Sequence, residues 1–248
     1  MAMLAGSLGS TVVPASGRGQ AARPLVSSRG LAAIRRAQPR VEFALRERDL
    51  RLGAPLYLRV RKRERILETW LEGEAGGRYR AGRTYRICGN LADRLGPRTS
   101  TRDQRIPEGF YNLARTALDA TGPAGLAMQL DWPGAVDRAQ GWSSGGGRAG
   151  ATSRVLVSGG CVAAPHLGFT DTDFDELFTL VYAALAFGQT AVPLHIFPHA
   201  LGRLDRLGLS GDGSGPVWQA MAPVWDAFAR TGRPPRTGVR GGRPVVID

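Results

Sequence analysis

The chain has 248 residues, room for one large domain or two small ones, and 43% of them are hydrophobic, enough for a sizeable core. It contains no run of about 18 apolar residues, so no membrane-spanning helix is expected. The net charge of +12 favours anionic partners, yet it is almost all arginine, scattered along the chain, with Lys62 the only lysine. No helix-turn-helix, zinc-finger or RNP-like pattern accompanies it, which weakens a nucleic-acid reading.

Residues 1–38 lack apolar periodicity and read as a disordered or loosely attached tail. Their short apolar pairs are too small for the apolar block of a secretory signal. Phe43, Leu45 and Leu50 then predict a short helix over 41–52, ended by Gly53-Ala54-Pro55. A β-rich block follows. Leu56, Leu58 and Val60 alternate with Tyr57, Arg59 and Arg61; residues 66–71 alternate in the same way; Gly76-Gly77 turns the chain; residues 83–88 make a third strand. The basic cluster from Arg59 to Arg65 is expected at a solvated hairpin tip. Pro107-Glu108-Gly109-Phe110-Tyr111 reads as a turn followed by an aromatic strand.

In Asp131-Trp132-Pro133-Gly134-Ala135-Val136-Asp137-Arg138, two readings of Asp137 and Arg138 stay open. They form a local ion pair, or Arg138 offers its planar fork to a substrate carboxylate. Residues 143–152 are a Gly/Ser-rich insertion. Val155-Leu156-Val157-Ser158-Gly159-Gly160-Cys161 is a buried strand that stops at glycines, a form that commonly delivers a side chain to a cleft. Residues 170–187 predict the clearest helix, with Phe174, Leu177, Phe178, Val181 and Leu185 on one face and Thr170 or Thr172 as cap. Asp171, Asp173, Asp175 and Glu176 suit its positive N-terminal end, and no metal site is expected from them. Residues 191–198 are a core strand in which His195 is structural. A last helix starts near Ser214 and carries Trp218, Met221, Trp225 and Phe228, with a kink expected at Pro223. For Cys88 and Cys161 two alternatives stand: a disulfide, or two buried free thiols.

These motifs, taken in order, resemble YkuD-type L,D-transpeptidases of the YafK-like branch over residues 55–247. The shared features are the strand Pro55-Leu56-Tyr57-Leu58-Arg59, Ile87-Cys88, Leu95-Gly96-Pro97, the turn at 107–111, Asp137-Arg138, and residues 191–198. The family pattern V-H-G-x-C-V-S-x-G-C-[FY]-A-M-T also lies without a gap on 157–170. The resemblance implies an α+β fold, mainly β, with a mixed sheet, one long helix after the active-site loop and a C-terminal helix. It implies a catalytic-type domain over 39–200 and a helical extension over 201–248.

By the same alignment Ser158 stands at the base position, His166 at the nucleophile position and Pro165 at the preceding glycine. Gly159 and Gly160, with Asp137 and Arg138, become the expected substrate-binding residues. The implied role is in peptidoglycan metabolism in the cell envelope or periplasm, acting on or binding stem peptides or another anionic wall component, with weak or absent activity and no cofactor or metal. Two alternatives are an acyltransferase or hydrolase using a rearranged Cys161/His166 pair, and a basic nucleic-acid binder.

Overall fold

The computed structural model describes residues 24–89, 95–98, 103–141, 154–202 and 215–247. The insertion expected at 143–152 lies outside them.

Helix α1 (Ser28–Arg46) starts well before the helix predicted over 41–52. Residues 28–38, expected in the loose tail, are its first half. The Ser27 hydroxyl caps it by accepting from the Gly30 amide at 3.3 Å. Its buried stripe is Gly30, Ala33, Ala37, Val41 and Leu45. Small residues lead that stripe because α1 lies close on helix α3 (Asp171–Ala186), and a methyl added at Gly30 would sit 3.2 Å from the Phe178 ring. Burial of α1 therefore never showed as large apolar residues at helical spacing.

β1 (Leu56–Arg61), β2 (Ile66–Glu72), β3 (Tyr79–Arg86), β4 (Gly109–Ala114) and β9 (Ala191–Phe197) form a mixed sheet in the order β3-β2-β1-β9-β4. β1 runs antiparallel to β2 and parallel to β9, with Leu58 opposite Leu194. A second sheet has the order β5 (Ala120–Gly122), β6 (Gly125–Gln129), β7 (Leu156–Ser158), β8 (Leu167–Gly168). The short helix α2 (Ala135–Ala139) precedes β7. Helix α4 (Gly215–Thr231) continues through Pro223 and is followed by the hairpin β10 (Arg236–Arg240) and β11 (Arg243–Ile247). The fold is α+β, as the family resemblance implied.

Helix α3 is buried nearly all round, because α1 covers the side turned from the sheets. Its acids are consumed by that packing. Arg36 pairs with Asp175 at 2.7 Å, while Arg40 and Arg83 converge on Glu176 at 3.3 and 2.6 Å. The Tyr85 hydroxyl donates to Glu176 at 3.2 Å.

The basic cluster on the first hairpin is also not a solvated tip. Arg59 is buried, bonded to Glu68 at 2.6 Å and stacked 4.2 Å from the Trp225 ring centroid. Lys62 is buried and donates to Glu108 and to the Ile106 carbonyl, both at 2.9 Å. The second Glu108 oxygen accepts from the Trp218 indole at 2.7 Å, which ties α4 to the sheet. His195 lies 3% exposed under Tyr57, Phe110 and Phe197, and its Nδ1 meets the Tyr57 hydroxyl at 3.1 Å. Its setting fits the structural role expected for it.

Candidate functional site

β7 pairs with β6 on one side and β8 on the other, so Leu156, Val157 and Ser158 are buried. The chain leaves the strand through Gly160 at φ +72° and Cys161 at φ +49°. Glycine takes that conformation at little cost, whereas a cysteine there needs its surroundings to hold it. Two contacts do so. Cys161 is disulfide-bonded to Cys88, and its amide donates to the Phe169 carbonyl at 2.9 Å. The Cys88 amide donates to the Gly168 carbonyl at 2.9 Å, so the end of the β3 segment lies against the loop. A side chain at Gly89 or Gly168 would collide with the Val162 carbonyl. Glycine at both positions permits the approach.

Of the two alternatives for the cysteines, the disulfide is the one found. It overturns the rearranged Cys161/His166 pair, because a sulfur bonded to Cys88 is no thiolate to be polarised by an imidazole.

Ser158, aligned with the family base, is fully buried and donates to the Gly159 carbonyl at 3.3 Å. The amide of Gly160, one of the expected substrate-binding residues, is taken by the Asp171 carboxylate at 2.8 Å. Asp171 begins α3 directly after the cap Thr170, whose hydroxyl accepts from the Asp173 amide at 3.1 Å. Gly159 and Asp171 border a groove of about 830 Å³ whose other wall is the α1 face bearing Arg29, Arg36 and Arg40.

His166 is half-buried, just before β8. Its Nδ1 lies 3.3 Å from the Leu156 amide, which donates to it. The imidazole thus stands in for a strand carbonyl and extends the β7–β8 pairing by one rung. The neutral ring must then carry its proton on Nε2, the nitrogen left over. Burial lowers the His166 pKa below its usual 6.5, and the positive charges of Arg154 and Arg98 lower it further. His166 therefore offers an N–H donor where a nucleophile or base would need a lone pair.

Arg98 and Arg154 were not singled out from the sequence. Arg98 is buried, with its guanidinium 4.5 Å from the Trp132 ring centroid and its Nε donating to the Asp103 carbonyl at 3.0 Å. The one available signal was its place directly after Leu95-Gly96-Pro97. Arg154 is exposed and holds the Thr121 carbonyl at 3.4 Å.

Asp137 and Arg138 each make a backbone hydrogen bond nearby, and the ion pair expected between them is not among the salt bridges of the described residues. Asp137 accepts from the Gly134 amide at 2.7 Å and from the buried Tyr111 hydroxyl, and its charge reaches Arg98. Burial raises its pKa above the usual carboxyl range, opposed by those two hydrogen bonds and by Arg138. Arg138 donates to the Pro133 carbonyl while remaining exposed.

No family model matches the chain. The chain nevertheless belongs to the L,D-transpeptidase family. It is 30% identical over 195 residues, 79% of this chain and 75% of the relative, to the Escherichia coli K12 protein named "Putative L,D-transpeptidase YafK", and equally to its O157:H7 counterpart. Among solved structures, the helical cell shape determining protein Pgp2 from Campylobacter jejuni has 13% identity, 80% coverage of both chains and a TM-score of 0.40. Bd1075 from Bdellovibrio bacteriovorus has 15% identity over 59% of this chain and 48% of its own, with a TM-score of 0.37.

Proposed function

We propose that this protein binds peptidoglycan stem peptides in the cell envelope without turning them over by the thiol chemistry of its family. The observation that carries this reading is the state of its sulfurs. The chain has two cysteines, and they are bonded to each other, so no thiol is left to attack a carbonyl. The group at the nucleophile position, His166, has one nitrogen engaged by Leu156 and the other protonated. The group at the base position, Ser158, is buried on its own backbone. The Asp171 carboxylate accepts from the Gly160 amide, so this expected substrate-binding donor is already engaged. Peptidoglycan-related function follows from family membership; the restriction to binding is drawn from these contacts.

The envelope location is supported by the same disulfide, since such bonds persist in oxidising compartments and are rare in the cytosol. Among the described residues no helix is long and apolar enough to cross a membrane. We propose a catalytic-type unit over 39–200 and a helical extension over 201–248, with the first half of α1 continuing the former on its N-terminal side.

The test is incubation with a purified tetrapeptide stem ending in D-alanine, followed by calorimetry and mass spectrometry. Binding without release of D-alanine is expected, as is an unchanged intact mass after carbapenem exposure. Release of D-alanine above the buffer rate, or a carbapenem adduct on Cys161, would overturn the binding-only reading. Absence of binding to any stem peptide would remove the peptidoglycan ligand altogether.

A further inference from the structure

We propose that the outward face of helix α1 docks on a membrane surface that carries anionic headgroups. The inference does not depend on the stem-peptide reading. It begins with charge. α1 holds five arginines, Arg29, Arg35, Arg36, Arg40 and Arg46, against one acid, Glu42, a net +4. Asp175 and Glu176, beneath the helix, offset Arg36 and Arg40, and Glu42 lies 3.9 Å from Arg46. Among the described residues Arg29 and Arg35 form no ion pair. Both are exposed.

The second observation is apolar. A helix turns about 100° per residue, and the stripe from Gly30 to Leu45 takes the side against the body. On the other side Leu31, Glu42, Arg35, Arg46, Phe43 and Arg36 succeed one another around about 140° of arc. Leu31 is 44% exposed and Phe43 61%, and Leu25, just before the helix, is 95% exposed. Apolar side chains set among guanidiniums find separate partners at a headgroup–acyl boundary. The guanidiniums meet phosphates there, and the apolar groups enter the layer beneath. A soluble polyanion would use the arginines and leave Leu25, Leu31 and Phe43 in water.

The face is presented by a helix already fixed in place. At its start the Ser27 amide and hydroxyl both donate to the Asp119 carboxylate, the hydroxyl at 2.8 Å. Further along, Arg36 grips both oxygens of Asp175, at 2.7 and 3.1 Å, and Arg40 reaches Glu176. These contacts hold one edge of α1 and leave Leu31, Arg35, Phe43 and Arg46 clear. A free amphipathic segment must order as it binds, whereas here folding has met that cost.

Flotation of the whole chain with lipid vesicles tests the proposal. At low salt it should bind vesicles of phosphatidylcholine mixed with phosphatidylglycerol, and bind phosphatidylcholine alone about tenfold more weakly or worse. Arg35→Gln with Arg46→Gln should weaken binding by about 25-fold, at roughly fivefold per arginine, and flatten its salt dependence. Leu31→Ser with Phe43→Ser should weaken it about tenfold and leave the salt dependence in place. Neither pair touches the buried stripe, and an unchanged Tm verifies each fold. Failure to bind the anionic vesicles overturns the proposal, as does equal binding to phosphatidylcholine alone. Binding that neither pair weakens also overturns it. Polyphosphate bound as tightly as the vesicles, with no loss in Leu31→Ser with Phe43→Ser, would make the face a site for polyanions instead. The two vesicle compositions are compared on the wild type, so the proposal is decided even if a variant does not fold.

Discussion

His166 accepts a hydrogen bond at Nδ1 from the amide of Leu156, ten residues earlier in the chain, at 3.3 Å. A side chain thereby becomes part of the sheet that carries it. The ring is expected to be neutral and protonated at Nε2 near pH 7, which nitrogen-15 NMR reads directly. Its titration should fall below the usual 6.5, with the charges of Arg154 and Arg98 contributing. Arg98→Gln should move it back upward. The unfolded chain then binds the proton more readily than the folded one. The stabilisation is therefore complete above about pH 6.5 and is lost as pH falls towards the folded value.

His195 should behave in the same sense and more strongly. Burial, helped by Arg59, pushes its pKa down to about 3. Between about pH 6.5 and 3 the unfolded state holds a proton that the folded state lacks. Stability attributable to this group should decline by about 1.4 kcal/mol per pH unit as the solution is acidified. Urea denaturation of wild type and His195→Gln at several pH values checks it. The variant should be less stable near neutrality, with a shallower loss on acidification.

Lys62 and Glu108 form a buried ion pair at 2.9 Å. Glu108 accepts from Lys62, from the Gly96 amide at 2.7 Å and from the Trp218 indole. Lys62→Met alone strands a buried carboxylate and should cost about 3–5 kcal/mol. Adding Glu108→Gln to that variant should recover part of the loss, measured as the difference in urea midpoints. Recovery would attribute the penalty to unpaired charge rather than to lost packing.

The disulfide spans 73 residues, from the segment just after β3 to the loop after β7. Closing a span of that size limits the unfolded chain, and Cys88→Ser with Cys161→Ser should destabilise by about 2–4 kcal/mol. A reductant should lower the Tm of the wild type and leave the double variant unchanged. Hydrogen exchange should quicken in residues 159–169, because Cys161 then loses one of the two contacts that hold its positive φ.

Much of this architecture could be read from residue periodicity. Leu56, Leu58 and Val60 share one face of β1, whose other face, with Tyr57 and Arg59, is buried as well, and Phe174 to Leu185 repeat at helical spacing because α3 faces the sheets. The first half of α1 escaped that reading, since Gly30, Ala33 and Ala37 achieve contact by being small. The Arg59–Arg65 cluster misled for the opposite reason. Its charges looked like solvent-facing residues, yet Glu68, Glu108 and Trp225, all distant in sequence or on another element, draw Arg59 and Lys62 inward. At the site, Ser158, Cys161 and His166 were found through their order along the chain. Arg98 was not, because its burial against Trp132 is a property of its neighbours and leaves no trace in spacing.

Lys62, buried against the Glu108 carboxylate, is also the one lysine of the chain. An amine-reactive ester therefore meets no competing lysine side chain and can reach this one only when the hairpin opens. The rate at which Lys62 becomes acylated is thus an intrinsic clock for breathing of the sheet, readable by mass spectrometry with no label added by design.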